Sequence, residues 1–154
     1  MASVRDMDIL GWIVSALKGT GAFNGVYMSD PPELSGKQAA YRALAVVQPV
    51  GGDESAEGWD DPDESQWARK VEWRLVILAR DPDPTTRDRL AERLLNVARG
   101  AVDADASILD ATIIGRTHIY RDRWLPAVPP ERQIEAIGTF TYLIDGPSGH
   151  AIDQ

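Results

Sequence analysis

The 154-residue chain predicts an α+β fold, a mostly antiparallel sheet of four to five strands packed by two helices. Three observations point there. Residues 71–80 alternate, with Val71, Trp73, Leu75, Ile77 and Ala79 on one side of a pleat and Glu72, Arg74 and Arg80 on the other. After Asp81-Pro82-Asp83-Pro84 the apolar period changes to that of a helix. Late in the chain, 111–120 and 134–144 alternate again as a pair of strands.

The stretch 66–102 organises the rest as one long strand, a sharp turn and one amphipathic helix. Val76 and Leu78 make the outer side of the strand apolar at its middle, so both faces should be covered there, one by a helix and the other by another sheet or a neighbouring subunit. Pro82 and Pro84 lack ladder donors and stop the strand, and Pro84 suits a first helical turn. Leu90, Ala91, Leu94, Leu95, Val97 and Ala98 form the helix's apolar stripe, with Arg87, Asp88, Glu92, Arg93 and Arg99 toward water and Gly100 as its stop.

Upstream, Ser3 with Asp6 three positions on reads as a helix cap. Met7, Leu10, Ile13, Val14 and Leu17 follow as the stripe, closed by Lys18 and Gly19. The glycine-rich 19–25 reads as a flexible connector: it follows a helix, and its spacing fits neither nucleotide fingerprint. Residues 26–28 form a short strand stopped by Asp30-Pro31-Pro32. Residues 41–50 read as a strand pairing with 71–80 in a long hairpin, although 37–45 is also compatible with a helical turn. The hairpin's tip, 51–65, is a loop dense in Asp and Glu with no basic residue. Trp59 within it is either a partner's anchor or a chance aromatic. Residues 121–133 form a proline-stiffened arm and 146–154 a loose tail.

Length indicates one domain, 1–154, and composition removes several function classes. There is no cysteine, hence no disulfide or thiol chemistry. A formal charge of −8 disfavours wrapping nucleic acid. No stretch approaches the roughly 20 apolar residues of a membrane span, and no signal peptide is recognisable at the start, so a soluble, unexported protein is expected. His118 and His150 lack the context of a catalytic triad, and zinc lacks spaced ligand pairs. No catalytic residue, cofactor or metal is expected.

The acidic loop leaves three readings open. Asp53, Ser55, Glu57, Gly58, Asp61 and Glu64 match the positions of a calcium loop, but Pro62 interrupts it and no amphipathic helix precedes it. The loop is otherwise simply solvated, or it meets a basic patch on another subunit. A basic patch exists in Arg116, Arg121, Arg123 and Arg132, interleaved with Tyr120 and Trp124; it is either a strand edge blunted by charge, an intersubunit partner, or a contact for DNA phosphate. Intersubunit pairing has both partners on this chain, and it selects Asp53, Glu54, Glu57, Trp59, Asp60 and Asp61 on one side and Arg116, Arg121, Arg123, Trp124 and Arg132 on the other.

The strand, turn and helix from Arg74-Leu75-Val76-Ile77-Leu78-Ala79-Arg80-Asp81-Pro82 into Leu90-Ala91-Glu92-Arg93-Leu94-Leu95, preceded by an acidic hairpin and followed by an Arg-rich strand, resembles the tail terminator and head-to-tail joining proteins of long-tailed bacteriophages. The likeness lies in element order and size over about residues 5–145. It implies a non-enzymatic virion subunit, made in the host cytoplasm, that assembles, usually as a hexamer, on the last ring of tail tube protein at the tail-head junction. Its other partners would be the head connector or adaptor proteins, with DNA passing through the lumen without specific binding. A neck adaptor or tube subunit is the near alternative, and a calcium- or ligand-binding cytosolic module the distant one.

Overall fold

The computed structural model of the protein describes residues 6–29, 41–57, 66–104 and 117–144. Its elements run α1 (Asp6–Gly19), β1 (Gly25–Met28), β2 (Ala43–Glu57), β3 (Gln66–Arg80), α2 (Pro84–Ala104), β4 (His118–Trp124) and β5 (Glu131–Ile144). The strands form one sheet in the order β1-β2-β3-β5-β4. Only β1 and β2 pair in parallel. Since β5 lies antiparallel between β3 and β4, those two run parallel and α2 is the crossover joining them.

Period-two patterning sets the layers. Val71, Trp73, Leu75, Ile77 and Ala79 of β3 are all within 1% of complete burial and share a face with Ile134, Ala136, Phe140, Tyr142 and Ile144 of β5. Both helices cover that face: Ile9, Leu10, Ile13, Val14 and Leu17 of α1, and Leu90, Ala91, Leu94, Leu95, Ala98 and Val102 of α2, complete the core. On the outer face Leu44 and Val46 are also buried, whereas Val76 and Leu78 are half-buried. Among the described residues there is one sheet and no second one against that face.

Several expectations change. Met7 is 48% exposed, and Ile9 takes its place in the α1 stripe. The glycine-rich connector is a defined turn: Gly21 adopts φ 68°, Thr20 Oγ1 donates to the Leu17 carbonyl at 2.7 Å, and Asn24 Oδ1 accepts from the amides of Arg42 and Ala43, both at 2.8 Å. Asp83, rather than Pro84 alone, starts α2, its Oδ2 accepting from the Thr86 amide at 2.8 Å. The helix runs through Gly100 to Ala104. Glycine inside a helix costs about 1 kcal/mol, and continuing the helix buries Val102 completely, worth about 1.5–3 kcal/mol. Arg87 is buried rather than turned to water.

The acidic segment differs most. Residues 51–57 are not loop but the far half of β2, laddered against β3 from Gly51↔Glu72 to Glu57↔Gln66. A bulge at Val50 sits beside Pro49, which lies beyond the end of β1, where β2 has no neighbour on that side among the described residues to need a ladder donor. The arm is likewise strand: β4 ends at Trp124 and β5 begins at Glu131, leaving a short connection closed by Leu125 N–H to Gln133 O at 3.0 Å and a Val128↔Glu131 bridge. The predicted strand from 111, the loop tip and the tail fall at 105–116, 58–65 and 145–154, outside the described residues.

Gly138 of β5 lies opposite Trp73, and a Cβ there would stand 2.8 Å from the His118 carbonyl oxygen and closer still to the Trp73 indole. Gly138→Ala is therefore expected to destabilise by about 1–3 kcal/mol. Urea unfolding monitored by tryptophan fluorescence measures it.

Candidate subunit interface

A one-residue bulge distributes the charge on β4. Ile119 pairs with Gly138 but Arg121 pairs with Ile137, so Tyr120 is the extra residue. In an unbulged ladder Tyr120 would pair with Ile137 and Arg121 with Ala136, turning Arg121 toward the helices. With the bulge, Arg121 and Arg123 join the outer face, opposite Ile137 and Glu135, and Asp122 turns inward opposite Ala136. Tyr120 reaches across the outer face, its hydroxyl donating to Glu72 Oε1 at 3.0 Å. His118, also on β4, is exposed and meets the Tyr120 ring edge-on.

Inward-turned charges fasten the layers. Asp122 Oδ1 accepts from Arg99 of α2 at 2.6 Å. Arg132 donates from Nε and Nη2 to Asp88 of α2 at 3.0 and 3.1 Å, and from Nη1 to the Leu125 carbonyl at 2.8 Å. Its guanidinium lies 5.7 Å from the Trp124 ring centroid. At the other end, Arg69 donates to Asp6 at 2.9–3.2 Å and to Glu54 at 3.4 Å, and the Tyr142 hydroxyl donates to Asp6 at 2.6 Å. Asp6 begins α1, so this cluster pins that helix to β2, β3 and β5.

The predicted interface set therefore divides. Arg121 and Arg123 share the outer face, where Arg123 Nη2 donates to Glu135 Oε2 at 2.9 Å and keeps a side chain 70% exposed. Arg132, with Trp124 beneath it, is held on the helix side by Asp88, because its register partner Ala79 belongs to the buried row. Glu54 is held by Arg69. Asp53 is exposed opposite Lys70, and Glu57 is the last residue of β2. Trp59, Asp60, Asp61 and Arg116 lie outside the described residues. The calcium-loop reading fails for 53–57: an extended ladder rises about 3.3 Å per residue and does not wrap oxygen ligands around one ion. Among the described residues no group of His, Asp or Glu is placed to hold a metal, and no helix is long and apolar enough to cross a membrane.

Arg74 was missing from the predicted set. It stands on the outer face of β3 opposite Ile137, which pairs on its far side with Arg121, so one row reads Arg74, Ile137, Arg121. With Arg123, Glu135 and Asp122 these residues line an open cleft of about 470 Å³. The alternation of β3 had already put Arg74 on the polar side; the missing information was which strand would lie beside it. The result is a sheet with unlike edges. Among the described residues β4, the outer-face arginine strand, forms one edge; on the other side β1 pairs with Leu44–Val47, and the far half of β2, from which the acidic stretch continues, has no described strand beside it there.

Burial raises the Asp6 pKa, but the bonds from Arg69 and Tyr142 outweigh it and hold the carboxyl below its usual range. Arg132 and then Arg87 hold Asp88 down to about 2. A carboxylate depressed in the folded state contributes stability above its unfolded pKa, near 4, and loses it as pH falls through the folded value. The melting temperature should thus fall between about pH 4 and pH 2, and Asp6→Asn should lower it at pH 7 while flattening that acid limb. Melts followed by circular dichroism at stepped pH check this.

No protein-family model matches the chain, and no curated protein matches it in sequence. Among solved structures it is similar to a chain from the virion of a native gene transfer agent particle, at 14% identity and TM-score 0.49, over 87% of this chain and 91% of that one. It is also similar to a chain from the PVC sheath/tube terminator of an extracellular contractile injection system in its extended state, at 12% identity and TM-score 0.42. There the match spans 97% of this chain and 61% of the other.

Proposed function

We propose that this chain is a structural subunit of a phage-type tail, a tail terminator or head-to-tail joining protein that works by shape and self-assembly rather than by chemistry. Copies close head to tail into a ring, with six as the expected number. The ring sits on the last ring of tail tube protein, stops tube growth and offers its other face to head connector proteins, with DNA passing through the lumen unheld.

One observation carries this reading: among the described residues, the outer-face arginines of β4 and the strand β2 that leads into the acidic stretch stand on opposite sides of the sheet's centre, with unlike, complementary charge in the sequence. A rotational ring buries a different patch on each side of every subunit, so each copy needs two unlike surfaces that fit one another. Here the arginines of β4 stand at one edge, and the other continues into a stretch with seven carboxylates between Asp53 and Glu64 and no basic residue. An isologous dimer would need one self-complementary patch instead. The tail location rests on the resemblance in element order. The tube-subunit alternative calls for a larger β-sandwich than the one sheet among the described residues supplies.

Light scattering on the full chain should report an assembly near six times the 16.9 kDa subunit, appearing as a ring by negative-stain microscopy. The ring should loosen as salt rises from 0.1 to 1 M, because the screening length shrinks from about 10 Å to about 3 Å. Arg121→Glu with Arg123→Glu should leave a folded monomer, since exposed arginines contribute little to folding. Full assembly of that double variant contradicts the pairing of edges.

A further inference from the structure

The geometry points to the outer-face cleft as a carboxylate socket in which Arg74 and Arg121 grip the acidic stretch of a second copy of this chain. The inference deepens the ring reading and rests on it for the identity of the occupant.

The charges of the cleft are unequally matched. Arg74, Arg121, Arg123 and Glu135 line it from the outer face, while Asp122 borders it with its carboxylate turned to the helix side and held by Arg99 at 2.6 Å. Glu135 is engaged by Arg123 at 2.9 Å. Arg74 and Arg121 form no ion pair with any described residue, and the Arg74 Nε is buried without a hydrogen-bond partner. A buried guanidinium donor left unmatched is costly, and a group that supplies an acceptor there recovers the loss. Arg74 and Arg121 face each other across Ile137, their strands two spacings apart, about 10 Å between backbones. Two arginine side chains rooted at that separation are long enough to reach one planar carboxylate placed above Ile137 from either side. Ile137 offers an apolar floor to the ligand's methylenes.

The ligand class follows from what the cleft repels as well as what it attracts. Glu135 lies in the wall, and the whole chain carries −8. A nucleic-acid backbone, with a phosphate at every step, meets that carboxylate and the net charge together. A peptide with spaced carboxylates places one between the arginines and keeps the rest clear. The acidic stretch of this same chain has that composition, and its first residues belong to β2, three strands away from the arginines of β4, so a neighbour's cleft is the one assigned to it.

Two full-length variants test this, one with a disabled socket (Arg74→Gln with Arg121→Glu) and one with a disabled edge (Asp53→Lys, Asp60→Lys and Asp61→Lys). Each alone should remain a monomer with a wild-type circular dichroism spectrum. Mixed, they should form a one-to-one dimer and nothing larger, because one intact edge then meets one intact socket and both free ends are blocked. Wild-type-sized rings from the socket variant, or a mixture that stays monomeric, overturn the socket while leaving the ring reading standing. If Arg74→Gln disturbs the fold, exposed Arg121→Glu alone replaces it in the same mixing experiment. A wild-type protein that never forms rings instead sinks the ring reading. The cleft is then judged by titrating a fluorescent 52–65 peptide onto the wild-type chain. Binding weakened about tenfold or more by Arg121→Glu supports the socket; no binding, or tighter binding of a DNA duplex at the same salt, overturns it.

Discussion

The burial of one row of side chains on β3 sets everything else in the molecule. Val71, Trp73, Leu75, Ile77 and Ala79 are inaccessible, and β3 is laddered to β2 and β5 over its whole length. A one-residue slip of either neighbour would turn its apolar set to the wrong face, so the row fixes the register of both. Trp73 adds a steric demand, since its indole occupies the space over Gly138 that any side chain there would need. The helices follow, because each presents an apolar stripe with nowhere else to go.

Within that frame, bulges decide where charge is displayed. The bulge at Tyr120 sends Arg121 and Arg123 outward and Asp122 inward, so one segment both fastens α2 through Arg99 and arms the outer face. The bulge at Val50 similarly leaves Glu54 on the helix side with Arg69 and Asp53 outside. Charged residues adjacent in sequence thus have different surroundings: those facing the helices are held within the fold, and those facing away lie on the outer face, where the proposed contact would use them. Arg132 and Glu54 belong to the first class, Arg121 and Asp53 to the second.

The long periodic elements were legible in the sequence, because alternation over ten residues and a clean change of period leave little competition. The hairpin between β2 and β3, the α2 stripe apart from Val97, which is only half-buried, and the inner face of β5 match the structure. What strict alternation hides is a single inserted residue, and both bulges fall at places where it changes the meaning of a charge. Composition also misled: 51–57 reads as loop because Gly, Asp and Glu are poor strand formers, yet pairing with Gln66–Glu72 overrides that preference. Gly100 failed as a helix stop for a similar reason, tertiary burial of Val102 outweighing local propensity. Arg74 entered the site only through its neighbour β4, a long-range placement that no local pattern encodes.

In the proposed ring the working parts are the sheet and the unlike charges on its two sides. Because the chain contains no cysteine, an introduced pair reports contact without background. Positions 51 and 118, which bear none of the charges assigned to the contact, lie in one row on strands three spacings apart in one copy, about 14 Å, well beyond the reach of a disulfide. Oxidising the full-length Gly51→Cys, His118→Cys variant should give a ladder of covalent multimers on a denaturing gel, ending at the ring. A product that stops at the dimer, or no covalent product at all, would contradict head-to-tail assembly through these edges.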